Sequence, residues 1–299
     1  MLIKGVIIDD TFAEAFYMSA ARLVLTAQSE NWALIAAQAA VGLAISIIGC
    51  GCEAGLENKL DKSETPDGRY GYSILLFTRD NAIMEQELIK RIGQAVLTTP
   101  TSACFNGLKI GEGVSAGGKV RYFGDGFQSS KYLAGTRYWR IPVAEGEFLL
   151  EETYNIVQAV AGGNFQIIAG DQGSGLEAAE AASIAINALP DVITPFPGGI
   201  CRSGSKVGSS RYNNLLASTN DKFCPTLVGR INTQLSTDVK AVYEILVNGL
   251  TKAAVEKAMN VGIKAACRSG VISITAGNYG GNLGPVHLYL HQIMSEDYL

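Results

Sequence analysis

The 299-residue sequence predicts an α+β protein: two lobes of α/β sandwich, each a ferredoxin-like duplicated unit with a mainly antiparallel sheet. Three observations point there. The first half reads strand, helix, strand, strand, helix, which is most of a split βαβ unit. The second half repeats that order after a glycine-rich, aromatic middle. Residues 161–165 (AGGNF) are weakly echoed by 276–281 (AGNYGG), as in a duplicated chain. The length suits two domains of ordinary size. The reading therefore places a proximal lobe at 1–146 and a distal lobe at 147–299.

Each element has its own signal. Residues 22–27 (RLVLTA) read as a strand, and 31–43 as an Ala-rich helix with Ser29 as N-cap. Residues 45–50 (ISIIGC) read as a second strand. Residues 57–70 read as a polar loop with a Thr65-Pro66-Asp67-Gly68 turn. Residues 72–78 (YSILLFT) form a third strand. Residues 81–96 form an amphipathic helix with Met84, Leu88, Ile92 and Ala95 inward, and Glu85, Glu87, Lys90 and Arg91 mostly elsewhere. In the middle, 119–123 (KVRYF) and 136–143 (TRYWRIPV) are the expected strands. Residues 165–169 (FQIIA) restart the pattern. Ser174 and Glu177 look like a capping box for a helix over 174–189. Residues 191–196 start a strand that runs into Pro197-Gly198-Gly199, and 239–248 (VKAVYEILVN) form a clear one. Residues 251–268 form a helix with Val255, Ala258, Met259, Gly262, Ile263 and Ala266 inward, and Lys252, Glu256, Lys257, Asn260 and Lys264 outward. Residues 271–276 and 285–290 close the fold.

Composition narrows the function. The net charge is −4, so there is no basic excess to neutralise phosphates, and nucleic acid is excluded as a partner. Hydrophobic residues make up 47%, enough apolar surface to exclude disorder as the main state. Residues 33–52 carry no charge, but they are rich in Ala and Gly and lack flanking aromatic and basic belts, so a helix followed by a buried strand explains them better than a membrane span. The start of the chain does not read as a signal peptide. Six scattered cysteines (50, 52, 104, 201, 224, 267) read as buried free thiols. With only His287 and His291, neither a His-based metal site nor a Ser-His-Asp triad has material.

Two places carry candidate chemistry. Glu244 lies on a strand whose two faces are both apolar, with Val242 and Leu246 on its own face. Desolvation raises the pKa of such a carboxyl and suits it to acid–base work; a salt-bridged or edge-exposed Glu is the bland alternative. The run 195–212 (PFPGGICRSGSKVGSSRY) combines the glycine turn Pro197-Gly198-Gly199, the cations Arg202, Lys206 and Arg211, and hydroxyls such as Ser203 and Ser209. That composition suits anionic groups of a small molecule, though a surface loop has it too. The turn with Asn220 and Asp221 is a further candidate cleft wall. No P-loop, G-x-G-x-x-G or G-x-S-x-G is present.

Six segments, in order, carry a resemblance. They are DDTFAEAF (9–16), ETPDGR (64–69), PFPGG (195–199), SKVGS (205–209), ASTND (217–221) and VYEI (242–245). Together they resemble formylmethanofuran:tetrahydromethanopterin formyltransferases from residue 5 to about residue 290. The resemblance implies a cytoplasmic enzyme of one-carbon metabolism that moves a formyl group between the amine of methanofuran and N5 of tetrahydromethanopterin. It implies a two-lobed homotetramer, or a subunit of a formyltransferase/hydrolase complex, as in methylotrophic bacteria. Methanofuran and tetrahydromethanopterin, or close analogues, are then the substrates, with no metal and no nicotinamide. Glu244 matches the family's acid–base carboxylate. Arg202, Lys206 and Arg211 are expected to hold coenzyme carboxylates or phosphate, and the amides of the 195–199 turn are the first choice of oxyanion donors. GCGCEAG (49–55) departs from the archaeal Met-Cys-Pro form, which favours the bacterial branch. A non-catalytic scaffold subunit that binds methanofuran is the alternative from another class. A hydrolase would need an activated water, for which the sequence offers no metal cluster.

Overall fold

Two strands of 16 residues each, Phe12–Ala27 and Tyr154–Ala169, tie the chain together, because each contributes its two ends to different compact units. The structure, a computed structural model, describes residues 1–296, so the last three residues of the expected second lobe lie outside it. One unit comprises residues 18–159; the other comprises 1–17 and 160 onward. This differs from a cut at residue 146, because pairing draws the N-terminus into the C-terminal unit. Ile7 and Ile8 pair in parallel with Ser273 and Ile274, and residues 12–15 pair with Val286–Tyr289.

In the unit 18–159, residues 19–27 pair antiparallel with Tyr70–Thr78, which pairs antiparallel with Glu53–Leu60. On the other edge, residues 23–26 pair antiparallel with Ala103–Asn106. Helices Glu30–Val41 and Asn81–Arg91 complete the order strand, helix, strand, strand, helix, strand. The strands lie side by side as fourth, first, third, second, which is the ferredoxin-like arrangement. Alternation turns Leu23, Leu25, Ile74 and Leu76 into the helix-side core with Met84, Leu88 and Ile92. Val24, Ala103 and Phe105 form a separate cluster on the other face. Gly146–Glu151, Thr136–Val143 and Ser129–Leu133 extend the sheet beyond Ala103–Asn106.

The other unit repeats the plan. Residues 160–169 are followed by helix Gln172–Asn187, the short strand Val192–Ile193, strand Ala241–Gly249, helix Lys252–Ala266 and strand Val271–Thr275. The order in the sheet is again fourth, first, third, second, all antiparallel. Phe165, Ile167, Ile245, Val247 and Ile274 pack with Ala178, Ala182, Val255, Met259 and Ile263 from the helices. The units differ most in the connection between their second and third strands. In the first it is the turn over 61–69. In the second it is residues 194–240, whose Phe223, Val228, Leu235 and Val239 pack with Ile168 and Val242 on the sheet face away from the helices.

Several elements depart from expectation. Residues 45–50 are not a strand: Ile47–Cys50 is one helical turn, ended by Gly51 at φ +80. The strand is Glu53–Leu60, whose second half, from Glu57, falls in the segment that reads as loop. Its Glu57 is buried because Arg22 clamps both carboxylate oxygens, at 2.7 and 2.5 Å. Residues 119–123 are not a strand either; Ala116–Val120 is helical and runs into a 3₁₀ turn. Gly117 there passes so close to Glu151 that a Cβ would lie 1.8 Å from its carbonyl oxygen. The helix over 172–187 is capped by Asp171, whose carboxylate accepts from Ser174 N at 2.9 Å, and not by Ser174. Ser29 caps its helix as expected, and Thr251, read as the first helical residue, is the cap of its own. Asn260 does not face outward: it is buried and donates to the Ile293 carbonyl at 2.6 Å. The six cysteines are free, and 52, 104, 201 and 267 are buried. Among the described residues no helix is long and apolar enough to cross a membrane.

Glu87 and Arg91 also point inward. Arg91 Nε donates to Glu87 at 3.0 Å, Arg91 Nη2 lies 2.9 Å from the Cys52 sulfur, and Arg91 Nη1 donates to the Ala40 carbonyl. Burial, then the charge of Glu87, pushes the Cys52 thiol up to about 12 although Arg91 opposes it, so Cys52 stays a thiol. Removing one partner of such a pair leaves an uncompensated buried charge. Glu87→Ala is therefore expected to lower unfolding stability by about 3 kcal/mol in urea titration.

Candidate active site

The sheet face beneath residues 194–240 carries a transverse polar row in the C-terminal unit. Glu244 stands opposite Gln166, and Gln166 opposite Thr275 on the next strand. Cys201 bridges to Glu244 from the other side. Opposed residues in an antiparallel pair share a face, so these four side chains form one row. All are buried, Glu244 to 2% exposure and Gln166 to 1%.

Glu244 is held by a single residue. Ser205 N–H donates to Oε2 at 2.5 Å and Ser205 Oγ to Oε1 at 2.7 Å. Burial pushes the carboxyl up to about 7, against the downward pull of both Ser205 bonds. Near neutral pH it populates both protonation states, as a group that takes and returns a proton must. The Cys201 thiol is pushed up to about 11 by burial and then by the Glu244 charge, so it is no nucleophile at neutral pH.

Two loops border the row. Residues 201–221 fold back on themselves through a short ladder pairing Lys206 with Ser218 and Val207 with Ala217. Residues 277–284 are pinned from beneath by Glu14, on the strand Phe12–Ala27. Its Oε1 accepts the amides of Tyr279 (2.7 Å) and Gly281 (2.6 Å), and its Oε2 those of Leu283 and Gly284 (both 2.8 Å). Burial would raise the Glu14 carboxyl, but the four amides hold it below its ordinary 4.5. Asn164 Oδ1 accepts from Gly277 N at 2.7 Å, so the two echoed segments touch. Tyr279 OH accepts from Val207 N at 3.2 Å and joins the two loops.

The structure brings some of the expected residues together and spends others. Glu244 and the 201–221 loop are adjacent through Ser205. Lys206 pairs with Asp221 at 2.7 Å and donates to Ser210, so it braces the loop. Asn220 N donates to Ser203 O at 3.1 Å, and Ser209 Oγ accepts from the amides of Arg211 and Tyr212. The turn Pro197–Gly199 is built into the wall: Ser183 Oγ donates to Gly198 O, and Gly199 N donates to Phe196 O. The Gly199 amide is thus committed within the turn. A Cβ on Gly199 would meet Ser183 Oγ at 2.0 Å, which explains the second glycine. Arg202 and Arg211 are exposed. Reading residues by type missed Ser205 as the partner of Glu244, as well as Gln166 and Glu14, although Ser205 and Glu14 lie inside the quoted SKVGS and DDTFAEAF segments. No group of three or more His, Cys, Asp or Glu among the described residues is placed to hold a metal ion.

A separate open pocket of about 380 Å³ lies in the unit 18–159, lined by Asn106, Arg137, Glu151, Glu152 and Asn155 among others. Burial raises Glu151 there to about 7. We favour the Glu244 row as the reactive site, because it gathers three of the six quoted segments and its carboxyl is bonded to a hydroxyl.

Known proteins resemble the chain along its whole length. A family model described as formylmethanofuran-tetrahydromethanopterin formyltransferase matches residues 1–143, and one described as FTR, proximal lobe, matches 146–293. The proximal label thus falls on the C-terminal half, the reverse of the sequence expectation. A formylmethanofuran–tetrahydromethanopterin formyltransferase of Methylococcus capsulatus is 54% identical over 99% of this chain and 100% of its own. That of Methanopyrus kandleri is 47% identical over 98% and 100%. The solved formyltransferase of Methanosarcina barkeri matches at TM-score 0.93 and 47% identity, covering 98% of this chain and 100% of that one. A chain of the formyltransferase/hydrolase complex of Methylorubrum extorquens, solved with methylofuran, matches at TM-score 0.96 and 44% identity over 99% of each.

Glu14→Ala would leave four amides without their acceptor, and a stability loss of about 3 kcal/mol is expected. The sign of its pH dependence follows from the lowered value. The contribution of Glu14 is present above its ordinary 4.5 and is lost as pH falls through its folded value. Urea midpoints of wild type and Glu14→Ala should therefore lie far apart at neutral pH and converge in acid.

Proposed function

The chain belongs to the formylmethanofuran–tetrahydromethanopterin formyltransferase family, and on that premise we propose that it transfers a formyl group between methanofuran and N5 of tetrahydromethanopterin, or close analogues of each. The observation that carries the reading is Glu244: a buried carboxyl with a value of about 7, bonded to a hydroxyl, on the face bordered by both loops.

The reaction needs what these residues offer. The lone pair of the attacking amine forms a C–N bond to the formyl carbon, and the C=O π pair moves onto oxygen. The attacking nitrogen then carries an extra proton. Glu244 takes it on the oxygen that the Ser205 hydroxyl occupies in this structure and must vacate. The oxyanion collapses, C=O re-forms, and the C–N bond to the departing amine breaks. Glu244 returns the proton to that nitrogen. One carboxyl thus serves both amines without a covalent enzyme intermediate.

The loop supports coenzyme binding more than chemistry. Arg202 and Arg211 remain exposed and available to coenzyme carboxylates or phosphate. The likeness to a chain of a formyltransferase/hydrolase complex supports assembly with hydrolase subunits, and we extend the reading to a cytoplasmic homotetramer or such a complex. A non-catalytic scaffold that only binds methanofuran leaves the bonded, buried Glu244 without a purpose.

Glu244→Gln is expected to lower kcat by about a hundredfold or more in a formyl-exchange assay. The wild-type rate should rise with pH through a limb near 7 that Glu244→Gln lacks. The stability sign is opposite to that of Glu14. The folded value lies above the ordinary 4.5, so stability declines as pH rises from 4.5 past about 7, and Glu244→Gln removes that decline. A wild-type rate in Glu244→Gln would assign the proton transfer elsewhere. Arg202→Ala is expected to raise KM by roughly tenfold with little change in kcat; the reverse pattern would place Arg202 in transition-state stabilisation.

A further inference from the structure

The Glu244 row contains a second polar side chain that nothing above uses. Gln166 is 1% exposed, and its Oε1 finds no hydrogen-bond partner among the described residues. A buried carbonyl in that state is costly, and native proteins rarely keep one without a purpose. The fold itself does not ask for it. In the unit 18–159 the corresponding position is Val24, three residues before the end of the first strand, as Gln166 is. Val24 stands between Ser73 and Phe105 and packs in an apolar cluster. Gln166 stands between Glu244 and Thr275 instead. Gly277 passes beside it. A Cβ on Gly277 would sit 3.5 Å from Gln166 Nε2 and 3.2 Å from Asn164 Oδ1.

We propose that Gln166 is a second catalytic residue of the formyl transfer, its carboxamide binding the tetrahedral adduct while Glu244 moves the proton. This rests on the formyl-transfer reading above. Directly opposed residues have Cβ atoms about 5 Å apart, so a carboxyl and a carboxamide in these positions reach one small group between them. Nε2–H donates to the oxygen that gains the π pair, and Oε1 accepts the N–H of the nitrogen bonded to the same carbon. A planar secondary formamide in its common trans form presents its oxygen and its N–H on opposite sides. In the tetrahedral adduct, rotation about the C–N bond brings both to one side. The pair of bonds is then complete only in the adduct, so it favours the transition state over the substrate. Ser205, which lies on Glu244 in this structure, must give way for the formyl group to reach the row.

The test uses the full chain purified from its own host, with any native partner subunits, in the formyl-exchange assay. Gln166→Met keeps the length of the side chain and removes both bonds. The expected result is a fall in kcat of about a hundredfold, with KM for either coenzyme changed by less than about threefold. Because Oε1 has no bond to lose, Tm should stay within about 2 °C of wild type or rise. Gln166→Glu serves as second variant. It places a carboxyl opposite Glu244, so residual activity should show a pH limb moved upward. Wild-type kcat in Gln166→Met overturns the inference while leaving the formyl-transfer reading intact. A loss of activity matched by a large fall in Tm also overturns it, since Gln166 would then be structural. A wild-type chain that transfers no formyl group overturns the reading beneath it and the inference together.

Discussion

The hydrogen-bonded burial of one carboxyl, Glu244 beneath Ser205, is the constraint around which the C-terminal unit is arranged. A carboxylate cannot sit on an apolar sheet face without a partner, and a fully ionised one there would be driven to take up a proton. Two bonds from one serine are enough to keep the group in place and too few to hold it ionised. That balance requires the 201–221 segment to run directly over the strand, and the segment cannot do so unsupported. Lys206–Asp221 and the ladder with 217–218 stiffen it, Tyr279 ties it to a second loop, and Glu14 pins that loop to the strand Phe12–Ala27. A carboxylate with four amide bonds thus anchors the scaffold, and the one with two is the proposed acid–base group. The opposite directions of their acidities follow from that count.

The same fold appears twice, but the row that carries a buried carboxyl once. Both units place a first strand between the third and fourth strands and cover one face with two helices. On the other face, Val24, Ser73 and Phe105 occupy the places that Gln166, Glu244 and Thr275 hold in the C-terminal unit. What separates them is the connection between strands two and three. A longer loop costs little extra closure entropy, so this position can accept residues 194–240 without disturbing the sheet. The added chain brings the cover that a buried polar row needs, since such a row left open would be filled by water and lose its low dielectric environment.

Much of this was legible in the sequence. Helix stripes such as Val255, Ala258, Met259 and Ile263 and strands such as 136–143 show because periodicity is a local signal. Glu244 stood out because an acidic residue between apolar neighbours on a strand loses hydration whichever face is buried, although a salt-bridged or edge-exposed Glu has the same pattern. The failures share one cause: a long-range partner changed what a residue type means. Glu57 and Glu87 read as surface charges, but Arg22 and Arg91 bury them. Asn260 read as an outward face, but a distant carbonyl takes its amide. Lys206 read as a ligand-binding cation, but Asp221 takes it first. Pairing of residues 1–17 with strands near the other end of the chain is likewise a long-range feature that no local signal announces.

The glycines show how far a single residue can be read. The pair Gly198-Gly199 looked like a place where backbone approaches a ligand. The Gly199 position instead lies against Ser183 and Thr194, so its missing side chain serves packing within the wall. Gly277 drew attention only through a weak internal repeat. Its missing Cβ lies closest to Asn164, with Gln166 next to it, and its amide is held by Asn164. The two sites obey one rule: glycine marks where something else must come close. Sequence states that something comes close, and only the register of the strands states what. At Gly199 it is the protein itself. At Gly277 the neighbours are two buried carboxamides, Asn164 and Gln166, and among the described residues the Gln166 oxygen has no hydrogen-bond partner.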